Sequence, residues 1–257
     1  MSYSLSSFAV RNKKQSIMKE DRDLKFLANC KNDDLKTLVD MMTHDKDGNV
    51  RLSESLTTTD AYLNCYPYKL SNMWQSIAGE LQRFGGNTIA NACRGEGVCY
   101  RIILKDVCKK MKVYFSDFDS TEKLEKSLLE KMCSDAIGNM SEKELLEMSE
   151  SLDLPTKNPK KYMIVAALQL AIRRGGALFA RIAVYISQMI AKMVLGRGAM
   201  MVGSNILNKT FGLITGPIGW IITAGWAIYD IASPAYRVTI PCVLQVACMR
   251  MQQYSNQ

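Results

Sequence analysis

Histidine is almost missing: the 257-residue chain has one, His44. A single imidazole speaks against Ser-His-Asp and Cys-His catalysis and removes every multi-histidine metal site. The eight cysteines contain no C-x-x-C pair. Cys93/Cys99 and Cys242/Cys248 are each separated by five residues, which fits no common zinc pattern. Several lie among apolar residues and read as buried free thiols. The start, "MSYSLSSFAVRNKKQS", lacks the basic-then-apolar pattern of a secretion signal. Together these features imply a cytoplasmic, reducing location, with disulfide pairing as the lesser alternative. Strand-like alternation is also scarce, so an all-α class is expected.

Acid is scarce in one third of the chain. Residues 1–161 hold 25 Lys+Arg against 24 Asp+Glu, whereas residues 162–257 hold eight bases and one acid, Asp230. A basic, apolar segment suits an anionic lipid surface better than nucleic acid. The alternative is that these bases are the solvated rim of buried helices.

Charge is missing altogether from Thr210 to Tyr229, within "TFGLITGPIGWIITAGWAIYDIASP". Twenty uncharged residues reach about 30 Å as a helix, enough to span a bilayer. Gly212, Gly216, Pro217 and Gly219 break the first half. Pro217 fits the first turn of a helix to about Ile231, roughly 22 Å long and short for a span. The segment therefore reads as a turn plus a buried or interfacial helix, with a span as the alternative. Gly212 and Gly216 permit close helix packing, and Trp220 and Trp226 face either core or membrane.

What is present is helical periodicity. A polar, Ser-rich tail, residues 1–20, expected to be flexible, precedes a helical domain at 21–152, made of a short module at 21–60 and a region at 70–150. The module carries Leu24, Leu27, Leu35, Leu38, Val39 and Met42, with Asn32 as the cap between two helices. "HDKDGN" is a turn, with a short helix following from Ser53. Met73, Trp74, Ile77, Ala78, Leu81 and Phe84 form one apolar face; Gly85 is expected to end that helix and Asn87 to cap the next. The next long helix carries Ile102, Ile103, Val107 and Met111. Asp119 or Ser120 opens a helix with Leu124, Leu128 and Met132 inward. Ser141 and Glu144 form a capping box. "DLPTKNPKKY", 153–162, marks a boundary, with Pro159 at a first helical position. The apolar, basic helical region at 162–250 follows, broken at "RRGG" and glycine-rich like a helical hairpin. In its helix from about 176 to 195, Arg181, Tyr185, Gln188 and Lys192 form one polar stripe, which fits a buried helix showing one edge or an interfacial one.

Two motifs raise ligand questions. In "THDKDGNVRLSE", Gly48 as the sixth position of a calcium loop puts Asp45, Asp47, Val50 and Glu54 in register, but Thr43 stands where a carboxylate belongs. The main reading is an Asp-Gly turn. "FGGN" and "RGEG" offer either an anion or partner site, through Gly85, Gly86, Asn87, Arg94, Gly95, Gly97 and Tyr100, or two tight interhelical turns. No cofactor motif is present, no paired carboxylates suit acid/base work, and nucleic acid is not a fitting partner.

"WQSIAGELQRFGGNTIANACRGEGVCYRIILKDVCKKMKV", with "DRDLKFLANCKNDDLKTLVDMMTHDKDGNVRL" before it and "SPAYRVTIPCVLQVACMR" near the end, resembles the YaaW family of bacterial proteins over roughly residues 20–250. Its strongest positions here are Phe84, Gly85, Gly86, Asn87, Arg94, Gly95, Gly97, Tyr100, Tyr236, Arg237 and Pro241. Residues 70–150 are also similar to the helical domain of ubiquinol–cytochrome c chaperones. The resemblance implies an all-α, non-catalytic domain that binds a protein partner, and it brings no catalytic or ligand residues. The expectation is a chaperone-like or adaptor protein, peripheral at the inner membrane face. The alternative is a membrane-active protein that inserts its C-terminal helices.

Overall fold

A computed structural model describes residues 18–88, 97–138, 140–151, 158–195 and 236–255. The described residues hold nine α-helices and no strand beyond a single bridge between His44 and Val50. These are α1 (Asn32–Thr43), α2 (Asp60–Cys65), α3 (Trp74–Thr88), α4 (Tyr100–Lys110), α5 (Thr121–Gly138), α6 (Glu142–Ser151), α7 (Lys161–Arg174), α8 (Ala177–Leu195) and α9 (Tyr236–Ser255). Short 3-10 turns precede α1, α2 and α3. The all-α class expected from the sequence is observed. Gly212, Gly216, Trp220 and Trp226 lie outside the described residues.

The last helix is the axis of the bundle. Every residue of α9 from Val238 to Gln252 is buried, and the helix packs against α8, α1, α3, α5 and α4. A helix buried on all sides needs apolar residues all round, and "VTIPCVLQVACM" supplies them. One contiguous core runs from Leu24 to Met251, with members on both sides of the 153–162 boundary. Polar groups on α9 fix its position against several neighbours. Ser187 of α8 donates to Gln245 Oε1 at 2.7 Å and Tyr236 donates to Asp106 of α4 at 2.8 Å. Gln253 donates to the Phe26 carbonyl at 3.2 Å.

Several local expectations hold. Met73, Ile77, Ala78, Leu81 and Phe84 are buried, with Trp74 at the core's edge. Ser120 Oγ accepts from Lys123 N at 3.2 Å, opening α5. Glu144 N donates to Ser141 Oγ at 3.4 Å while Ser141 N reaches back to the Glu144 carboxylate, completing the capping box. "RRGG" is a break, with Gly175 and Gly176 at φ 73° and 87°, where a Cβ would be strained. On α8, Phe179, Ile182, Ala183, Ile186 and Ile190 are buried while Arg181 is exposed and Gln188 half-buried; the side chains of Tyr185 and Lys192, the rest of the polar stripe, lie outside those described. Among the described residues no single helix is long and apolar enough to cross a membrane.

Others are corrected. Asn32 does not cap α1. It is the first helical residue, and its amide donates to the Pro67 carbonyl at 2.8 Å and accepts from Leu70 N at 3.0 Å, stapling α1 to the 3-10 turn that leads into α3. Gly85 does not end α3, which continues through Gly86 and Asn87 to Thr88; Asn87 is thus inside a helix rather than capping one. α7 starts at Lys161, leaving Pro159 outside the helix. Ile102 is half-exposed on α4, unlike Ile103 and Val107.

Candidate functional site

The helix N-terminus that could have held an anion is already occupied from within the chain. Backbone N–H groups at a helix start attract carboxylates. Asp21 Oδ2 accepts from Tyr100 N, the first residue of α4, at 2.6 Å. Asp21 Oδ1 also accepts from Asp23 N at 3.0 Å, so one carboxylate caps two helical segments. Gln82 of α3 holds Asp21 from below, donating at 3.3 Å, and pairs with the Lys19 backbone in both directions at 2.8 and 2.9 Å.

The glycines beside this cap serve close packing. A Cβ on Gly85 would lie 2.4 Å from the Ile103 side chain, and one on Gly97 would lie 2.8 Å from Gln82 Cβ. Gly85 therefore sets the approach of α3 to α4, and Gly97 lets the chain return across α3, where Val98 N donates to the Gln82 carbonyl at 3.3 Å. Gly86 and Asn87 are in the last turn of α3. Arg94 and Gly95 lie outside the described residues.

Tyr100 leads into a buried polar network that sequence reasoning missed. Its hydroxyl donates to Glu125 Oε1 at 2.8 Å, and Arg250 Nε donates to Glu125 Oε2 at 2.8 Å. The Arg250 guanidinium also donates to the Asp23 carbonyl and lies 4.1 Å over the Phe26 ring. Tyr100 and Glu125 are fully buried and Arg250 nearly so. Burial pushes the Glu125 carboxyl up to about 7, against the pull of Arg250 and the Tyr100 hydroxyl. It pushes the Tyr100 phenol well up, assisted by the Glu125 charge. A group poised near 7 invites a catalytic reading, but this one is sealed within the bundle. Its signal in the sequence was Arg250 itself, a lone charge at the end of the apolar run "PCVLQVACMR".

The calcium register does not assemble. Glu54, the required bidentate ligand, caps a 3-10 turn by accepting from Thr57 N at 2.8 Å. Thr43 donates to the Val39 carbonyl at 2.8 Å. Asp45 Oδ1 accepts from Asp47 N and Asn49 N, both at 2.9 Å, so it closes its own turn. Among the described residues no group of three or more His, Cys, Asp or Glu side chains could hold a metal ion. His44 Nδ1 pairs with Thr43 Oγ1 at 2.8 Å, and burial lowers its pKa. The seven described cysteines are free thiols, and burial pushes Cys108, Cys133 and Cys242 up to about 12.

One exposed feature is built with unusual care. Between α4 and α5, Val113 is buried while Tyr114 is 100% and Phe118 97% exposed. The loop carrying them is clamped. Arg101 donates to the carbonyls of Asp117 (3.1 Å) and Asp119. Lys105 Nζ donates to Asp117 Oδ1 at 2.7 Å, and Asp119 Oδ2 accepts from Ser116 N at 2.9 Å. Two aromatic side chains thus project into solvent from a backbone held at both ends. Ile102, Lys105 and Lys109 share the adjoining outer face of α4.

Comparison with known proteins shows the class of protein this architecture defines. Residues 69–245 match the family described as Ubiquinol-cytochrome C chaperone, and residues 18–52 match the family described as Domain of unknown function (DUF3944). A UPF0174 protein of Helicobacter pylori strain J99 is 37% identical over 241 residues, covering 93% of this chain and 95% of that protein. The UPF0174 protein YaaW of Escherichia coli K12 is 31% identical over 239 residues, covering 92% and 97%. The chain belongs to the UPF0174 (YaaW) family, and its central region carries the ubiquinol-cytochrome C chaperone domain. No solved structure matches. In the described bundle Gly85 meets Ile103, Gly97 meets Gln82, Tyr100 meets Glu125 and Tyr236 meets Asp106.

Proposed function

We propose that this protein is a non-enzymatic, chaperone-like adaptor that binds a protein partner through the α4–α5 loop, acting in the cytoplasm at the membrane face. The chaperone-domain match supports a role of this kind. The observation that carries the reading is the clamped loop with Tyr114 and Phe118 exposed. Exposed aromatics on a pre-organised backbone lose little entropy on binding and make the usual interface anchors. The partner's matching surface is an apolar pocket with acids facing Lys109 and Lys112, since Lys105 is held by Asp117. The non-enzymatic reading rests on the sealed Glu125 network and the single histidine. Buried free thiols fit a reducing compartment. In this reading Gly85, Gly97 and Tyr100 shape the scaffold rather than touch the partner.

A pore-forming reading that inserted α8 and α9 would require them to leave the core, since their apolar sides are spent on each other and on α1, α3, α4 and α5; residues 210–232, the other segment of that reading, lie outside the described residues. Affinity purification of the intact chain tests the proposal. The natural sequence should recover a partner that the Y114S/F118S double variant loses, with no change in thermal melt. Equal recovery by both would overturn it.

A further inference from the structure

The outer face of α7 combines apolar exposure with positive charge in a way the bundle does not use. At about 100° per residue, the buried residues Ile164, Leu168, Ala171 and Ile172 fall on one side of α7. Tyr162, Met163, Ala166, Leu170, Arg173 and Arg174, all exposed, fall within an arc of about 120° on the other. Tyr162 is 72%, Met163 40% and Leu170 48% exposed. The apolar stretch is bounded by Lys160 and Lys161 at one end and by Arg173 and Arg174 at the other, about 18 Å apart.

Along the sequence the charge around α7 is one-sided, although α6, which packs on α7, carries Glu142, Glu144, Glu147 and Glu150. No Asp or Glu occurs between Asp153 and Asp230. Glu130 of α5 pairs with Arg173, 3.2 Å from its Nε, and Glu144 of α6 feels the charge of Lys161, while Arg174 at the far end has no acid partner among the described residues. Lys126 of α5 and Tyr254 of α9 line a small pocket with Arg173, Arg174 and Phe179 at the α7–α8 bend, adding another cation beside the arginines. An apolar strip with basic ends is complementary to an anionic lipid surface, where the strip enters the acyl boundary and the cations meet phosphates. A protein partner on this face would need a matching apolar strip with acids at both ends.

We infer that α7 is an interfacial helix that seats the protein on an anionic lipid bilayer through Tyr162, Met163, Leu170 and Arg174. The inference rests on the proposed adaptor role at the membrane face and supplies the surface and the lipid chemistry. The intact helix lies flat in the headgroup layer and leaves the core of the bundle unchanged.

Vesicle co-sedimentation of the full chain tests it. The probes are vesicles of equal parts phosphatidylglycerol and phosphatidylcholine, compared with pure phosphatidylcholine. The natural chain should bind the anionic vesicles, and binding should weaken with added salt. R174E should weaken it by about fivefold or more, from about fivefold per cation near such a surface. M163E/L170E should weaken it at least about tenfold, with thermal melts unchanged because both residues are exposed. Y114S/F118S should bind vesicles normally, so a failure of the partner reading shows in that variant and a failure of this one in the α7 variants. Four results would overturn the inference: no binding by the natural chain, equal binding to neutral vesicles, binding unaffected by both α7 variants, or a dimer that M163E/L170E converts to monomer.

Discussion

Arg250→Met should be among the most damaging single substitutions in this protein, and its cost should depend on pH in a stated direction. Arg250 neutralises Glu125 across 2.8 Å, holds the Asp23 carbonyl and covers the Phe26 ring. Methionine keeps much of the volume but leaves a buried carboxylate without its cation. Breaking one side of a buried pair costs about 3–5 kcal/mol. In a chain of this size that is roughly 6–20 °C in melting temperature, at about 2–4 °C per kcal/mol. The pH dependence follows from Glu125, whose folded pKa lies at about 7 against an ordinary 4.5. Between those values the folded state holds a proton that the unfolded state has lost. Glu125 therefore contributes stability that is full below 4.5 and lost as pH rises through about 7. Arg250 matters most where Glu125 is charged, so the variant's deficit should be large at pH 8 and smaller at pH 5. Thermal and urea melts by circular dichroism at both pH values read it. An equal deficit at both would refute the pairing, and a change below about 0.5 kcal/mol would refute the network's role. Replacing all three partners, as Y100F/E125L/R250M, should recover much of the loss, because no buried charge is left alone.

Gly85→Ala should cost about 1–3 kcal/mol in urea melts, since its Cβ would fall 2.4 Å from Ile103; I103V should relieve part of it, and a neutral G85A would show that α3 and α4 are not so closely set. Buried Cys108, Cys133, Cys242 and Cys248 should resist a thiol reagent in the native protein and react on unfolding. Fast native labelling of Cys242 or Cys248 would mean that α9 is not the core helix.

Much of the fold was legible because it rests on local chemistry. The Ser141–Glu144 box, the Ser120 start of α5, the Gly175–Gly176 break and the apolar face of α3 are all set by residues within a few positions of one another. The failures involve long-range partners. Gly85 looks like a helix terminator, yet its lack of a side chain serves Ile103 on another helix. Asn32 looks like a cap, yet its amide is spent 35 and 38 residues away. The site was less legible still. Glu125 and Arg250 are separated by 125 positions; helical spacing puts Glu125 on the apolar side of α5 with Leu128 and Leu129, but nothing local names the cation that meets it. Arg250, one of eight bases in the C-terminal third, proves to be neither a lipid contact nor a solvated rim. Tyr114 and Phe118 escaped attention because periodicity cannot tell an exposed loop aromatic from a buried one.

The central claim is that the clamped α4–α5 loop contacts a protein partner. Site-specific photo-crosslinking in the native host tests it most directly, with the probe at position 118 and a control probe at exposed Lys143 of α6. The account predicts one discrete adduct from position 118, lost when Tyr114 is changed to Ser and absent from position 143. No adduct from position 118, or the same adduct from both positions, would contradict it.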